Sequence, residues 1–188
     1  IGTMEVPEDA YYGVQALRAK ENFPITGTKL HPVFIKNLAK IKRAAAITNR
    51  KAGRLKPEIA NAIEASANEV ICGMFDKDFI VDGIQGGAGT SANMNMNEVI
   101  ANRAIEMLCG KKGDYTIVHP NDHVNMAQST NDVIPTAGKL TVLDLLKPLD
   151  KSLSLLTDAL YDKAAEFDPI VKIGRTPVSY THLTLPTI

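Results

Sequence analysis

Residues 136–167 read TAGKLTVLDLLKPLDKSLSLLTDALYDKAAEF, and this stretch decides the fold class. Leu149, Leu153, Leu156 and Leu160 recur at a four-three-four spacing, the seam of a helix in a bundle. Pro148 is expected to bend the helix, because proline removes one ladder donor and crowds the preceding turn. A helix of roughly 30 residues spans about 45 Å, longer than a 188-residue domain should be wide. It calls for partner helices beyond this chain, and so for a piece of a larger protein, an oligomer, or both.

Upstream of this stretch the pattern is also helical. Pro32 stands where a helix accepts its first turn, and Phe34, Leu38, Ile41, Ala45 and Thr48 mark a face that Gly53 ends. Pro57 opens a second helix with the stripe Ile59, Ile63, Ala67, Val70 and Met74. A third is expected from about Ala92 to Cys109, stopped by Gly110. Residues 1–30, rich in Pro, Gly, Tyr and Thr, read as an extended arm, and Tyr115–His119 as a short extended piece. The expected division is an N-terminal domain over 1–135 and the start of a helical bundle over 136–176. The segment PVSYTHLTLPTI, 177–188, changes character and reads as a non-native tail, such as translated adaptor sequence.

Composition narrows the function. The 21 basic and 21 acidic residues cancel, and no basic stripe offers a footprint for nucleic acid. No apolar run approaches the ~18 residues of a membrane span. With 5% aromatics and no Trp, the core must be aliphatic and Ala-rich. Cys72 and Cys109 read as reduced core thiols of a cytoplasmic protein. The four His lack convincing ligand spacing, so no metal is expected.

Two segments carry the chemistry. The first, GGAGTSANMNMNE, brings Thr90 and Ser91 to the junction of a glycine loop with a helix start, where N–H groups and the positive helix end favour an anion. An ordinary N-cap is the plainer reading of one Thr there. Asn93, Asn95, Asn97 and Asn102 are harder to set aside, being costly in a helix interior unless paired. The glycines are not spaced as a dinucleotide fingerprint, and no P-loop Lys follows. The second segment, HPNDHVNMAQSTNDVIPT, sets Gln128, Ser129, Thr130 and Asn131 within an apolar frame of Val124, Met126, Val133 and Ile134. Buried hydroxyls and amides without charge suit a ligand bearing both a carboxylate and an ammonium, since they offer donors and acceptors.

GGAGTSANMNMNEVIANRA (86–104), VHPNDHVNMAQSTNDVIPTA (118–137), KIGRT (172–176) and VPEDAYYGVQALRAKENFPI (6–25) resemble, in order, the fumarase/aspartase superfamily. The likeness covers about residues 1–176. It implies a mainly α fold: a small, mostly helical N-terminal domain leading into the first long helix of that superfamily's bundle. It also implies a cytoplasmic homotetramer without metal or organic cofactor, acting on a small dicarboxylate or amino acid. GGAGTS, QSTND and YYGVQALRA are more like the aspartate ammonia-lyases than the fumarases, with fumarate hydratase as the alternative. A third reading is a non-catalytic helical fragment.

By the same resemblance, Thr90, Ser129 and Thr130 would hold the substrate's β-carboxylate, Asn131 would lie near its amino group, and Thr176 would reach the α-carboxylate. Asn121 and His123 match a second, non-catalytic anion site. The family's base is a Ser on a GSSxMPxKxNP loop that is not in this chain, so no catalytic residue is assigned and the chain alone is expected to be inactive. Where the family continues GRTHLQDA, this sequence has Pro177 and Val178 after Thr176.

Overall fold

The computed structural model describes residues 4–171. It is mainly helical, with α1 at Val14–Asn22, α2 at Pro32–Lys51, α3 at Pro57–Ile71, α4 at Thr90–Met107 and α5 at Thr130–Phe167. A one-turn 3-10 helix, Asp76–Asp78, precedes the glycine loop, and a π-helical turn, Pro120–Val124, lies in the second polar segment. Among the described residues there are no strands, only an isolated bridge between Lys29 and Asp82. No helix there is long and apolar enough to cross a membrane.

The chain divides into two compact units, residues 1–144 and 145 onward. In the first, α2 packs on α3 and α3 on α4, and Leu38, Ile63, Val70, Met96, Ile100 and Ile105 belong to one core. Each such side chain contributes roughly 1.5–3 kcal/mol by leaving water. Helix ends follow local chemistry. His31 Nδ1 accepts from Val33 N–H ahead of Pro32, and Gly53 adopts φ +69° while Arg54 N–H reaches back to Asn49 O at 2.9 Å. The second unit contains the distal part of α5, whose Leu149, Leu153, Leu156 and Leu160 are all exposed.

Several expectations are corrected. Residues 14–22 are helical rather than extended. That helix buries only Ala16 and Ala19, and its N-terminus is capped from far away, so nothing local announces it. The carboxylate of Glu98 accepts from Gly13, Gln15 and Ala16 N–H at 2.9–3.0 Å. Tyr115–His119 is a series of turns, not an extended piece. Helix α3 ends at Ile71, with Gly73 at φ +83°, which leaves Met74 outside the helix and exposed. The buried residues of α2 are Ile35, Asn37, Leu38, Ala39, Lys42, Ala46 and Asn49, a face rotated from the expected stripe. Three polar residues among them hid it.

Helix α4 starts two residues earlier than expected and ends at Met107. Cys109, not Gly110, takes the left-handed conformation, at φ +61°. A Cβ on Gly110 would lie 2.4 Å from Ile117 Cδ1, so that glycine serves close packing. Cys72 and Cys109 are free and exposed, not core thiols. Each sits just past a helix end, where the apolar pattern had already left the core. Helix α5 begins at Thr130 rather than Thr136 and runs unbroken through Pro135 and Pro148. Thr176 and the tail 177–188 lie outside the described residues.

Candidate functional site

The start of α5 lies against the start of α4, and this brings the two polar segments together. Gly89, at φ +86°, precedes Thr90, and a Cβ there would lie 2.8 Å from Ile134 Cγ2. A Cβ on Gly86 would lie 2.5 Å from Phe23 Cζ. The glycines are therefore required by close packing against Phe23 and Ile134 and by a left-handed turn. No ligand has to be invoked for them.

Thr90 is exposed in the first turn of α4, and Asn93, three residues on, shares its face. Asn93 Nδ2 donates to Thr130 Oγ1 and to Asn125 Oδ1, both at 3.2 Å. Thr130 opens α5, so two helix N-termini, each favourable to an anion, are joined through Asn93. Ser129 caps α5: its carbonyl accepts from Asp132 and Val133 N–H at 3.0 Å, and its hydroxyl from Asn131 N–H at 3.3 Å. Asn131 is exposed in that first turn. On α4, Ala92 N–H is taken by Gln85 Oε1 at 2.6 Å.

Of the four asparagines of α4, only Asn93 meets the second segment. Asn95 accepts from Ile80 N–H and donates to Asp78 O, at 3.0 and 2.9 Å. Asn102 donates to Tyr11 O and accepts from Gly113 N–H, both at 2.8 Å. These two brace irregular backbone. Asn97 contacts Met94 Sδ, and its oxygen is buried without a partner among the described residues, as are Asn93 Oδ1 and Gln128 Oε1.

Asn121 and His123 share the π-helical turn that His119 caps. His123 Nδ1 accepts from His119 N–H at 2.8 Å, which leaves Nε2 as the other ring nitrogen for a ligand. Burial holds its pKa below the ordinary value against the opposing pull of Asp122. No group of three or more His, Cys, Asp or Glu suited to a metal ion occurs among the described residues.

Lys42 is the residue that sequence reasoning missed. It is 0% exposed on α2, and Nζ donates to Asn125 Oδ1 at 2.8 Å. Burial lowers its pKa from 10.5 to about 7. A signal was present: Lys42 and Asn49 fall on the same 3.6-residue face as Ile35, Leu38 and Ala46. A cavity of about 490 Å³ lined by Tyr12, Asn102, Lys111, Lys112 and Tyr115 includes Asn102 but none of Thr90, Asn121, His123, Ser129, Thr130 and Asn131.

The family model described as lyase matches residues 2–183. The chain is 52% identical over 176 residues to an aspartate ammonia-lyase of a Bacillus species, covering 94% of this chain and 38% of that relative. It is 52% identical over 177 residues to a class II fumarate hydratase of Halobacterium salinarum, covering 94% of this chain and 37% of the relative. Among solved structures, the fumarate lyase:delta crystallin of Brucella melitensis superposes with a TM-score of 0.86 at 47% identity, covering 92% of this chain and 41% of that one. The chain thus spans about two fifths of the length of the relatives it matches.

Proposed function

We propose, from the premise that this chain belongs to the lyase family, that it is part of an aspartate ammonia-lyase, which eliminates ammonia from L-aspartate to give fumarate. The observation that carries the reading is the Asn93–Thr130 contact, which ties the N-termini of α4 and α5 together. Thr90 and Thr130 then offer hydroxyl donors, beside two positive helix ends, to one carboxylate. Ser129 and Asn131 flank it, with Asn131 toward the amino group and Thr176 toward the α-carboxylate. Asn121 and His123 form the separate anion site.

In the elimination, a base removes a proton from Cβ and the Cβ–H electrons form the Cα–Cβ double bond. The Cα–N bond breaks and nitrogen leaves with its electron pair. Charge passes through the carboxylate attached to Cβ, so donors fixed on that group act where charge develops. None of the residues named above is assigned as that base. The same reading includes a homotetramer in the cytoplasm.

Curated relatives named aspartate ammonia-lyase support this over a fumarase, since they recur among the matches at about 50% identity. Fumarate hydratase is the second reading, favoured by the Halobacterium relative. Fumarate absorbance separates the two. The intact protein is expected to form fumarate from aspartate and not from malate, and Thr130→Val to lower that rate about tenfold or more. Turnover of malate alone would overturn the assignment.

A further inference from the structure

We propose that Lys42 is a positioning residue: it sets the direction of the hydrogen bonds that reach Thr130, so that the Thr130 hydroxyl donates its proton outward to the substrate carboxylate. This rests on the carboxylate-holding role given to Thr130 above. Lys42 Nζ, on α2, lies 2.8 Å from Asn125 Oδ1. As an ammonium, its state below about pH 7, Lys42 offers donors and no acceptor, so at that pH the Asn125 amide turns its oxygen toward Lys42. The nitrogen of that amide donates to Gln128 O at 3.2 Å.

The same Asn125 oxygen also accepts from Asn93 Nδ2 at 3.2 Å, which fixes the second amide with its nitrogen toward the site. The other proton of Asn93 Nδ2 goes to Thr130 Oγ1, again at 3.2 Å. A hydroxyl that accepts from inside keeps its single proton for a partner outside. Asn93 Oδ1 is buried with no partner among the described residues, so the nitrogen side of the amide sets its orientation. Were the chain of amides reversed, Thr130 would donate inward and turn only lone pairs toward a carboxylate.

The test uses steady-state fumarate formation from aspartate by the intact protein, with thermal unfolding as a check on folding. Asn93→Asp is nearly isosteric and puts oxygen against Thr130. It is expected to lower kcat about tenfold or more, as is Lys42→Met, which removes the donor. Thr130→Val supplies the reference. The double variant Asn93→Asp/Thr130→Val should be no slower than Thr130→Val alone, because the chain of amides acts only through that hydroxyl. A loss caused merely by the added negative charge, or by damaged packing, would persist in the Thr130→Val background and overturn the proposal. So would an Asn93→Asp enzyme with unchanged kcat. A folded Lys42→Met with unchanged kcat overturns the proposal. If that variant does not fold, Lys42→Arg, which still offers only donors, takes its place and should keep kcat within about threefold. A larger loss in a folded Lys42→Arg counts against the proposal. If Thr130→Val itself leaves the rate unchanged, the carboxylate reading fails and the proposal with it. A damaging Thr130→Val beside a neutral Asn93→Asp overturns the role of Lys42 only.

Discussion

Helix α4 and the distal half of α5 invert the usual distribution of side chains. In α4, Asn93, Asn95, Asn97 and Asn102 are buried among Met96, Val99 and Ile100. In α5, Leu149, Leu153, Leu156 and Leu160 are each more than half exposed. The difference teaches that a side chain's place is set by what waits for it. Asn95 and Asn102 go inside because orphaned backbone groups at Tyr11, Asp78, Ile80 and Gly113 need partners there. The α5 leucines stay outside because none of the described residues covers them.

The largest expected effect separates the two regions by one kind of change. Ile100→Ala, at a site 0% exposed, should cost about 2–5 kcal/mol in urea unfolding. Leu156→Ala in the same chain should change stability by about 0.5 kcal/mol or less. Equal losses would mean that the α5 seam is covered in solution and would break the comparison.

A smaller effect is expected at Asn95. Asn95→Ala removes the partners of Ile80 N–H and Asp78 O and should cost about 1–3 kcal/mol. Asn97 donates only to a sulfur at 3.8 Å, and Asn97→Ala should cost less than Asn95→Ala. The reverse order, measured in the same unfolding series, would show that burial rather than pairing sets the value of these side chains.

The last effect concerns the buried cation. The pKa of Lys42 is about 7 when folded against 10.5 when free, so between these values the unfolded chain binds a proton that the folded chain has released. Stability from this group therefore rises with pH through that window, and the full penalty of the buried charge is present below about pH 7. Wild type measured against Lys42→Met from pH 7 to 9 should show the difference moving in favour of wild type. A flat difference would mean that the amine keeps its proton throughout.

Much of the fold was legible because its signals are local. Pro32, Gly53, Pro57 and the α5 leucines each fix an element or its end through their own backbone or spacing. Helix α1 was not legible, since its cap is Glu98, more than eighty residues away. The polar segments were visible as chemistry, and Thr90, Ser129, Thr130 and Asn131 do stand at helix starts. Their division of labour was not visible. Ser129 serves the backbone of α5, and of the four asparagines only Asn93 turns to Thr130. Lys42 was not singled out, since a charge on a helix ordinarily faces solvent.

By itself, then, the sequence determined the helical class, both ends of α2, the start of α3, the leucine seam and the two polar segments, since periodicity and backbone stereochemistry act over a few residues. The tertiary structure alone decided which polar side chains face the proposed site and which brace backbone. A hydrogen bond is made by whatever donor and acceptor the fold brings within about 3 Å. For Lys42, Asn125, Asn93 and Thr130, those neighbours come from α2, the residue that follows the π-helical turn, α4 and α5.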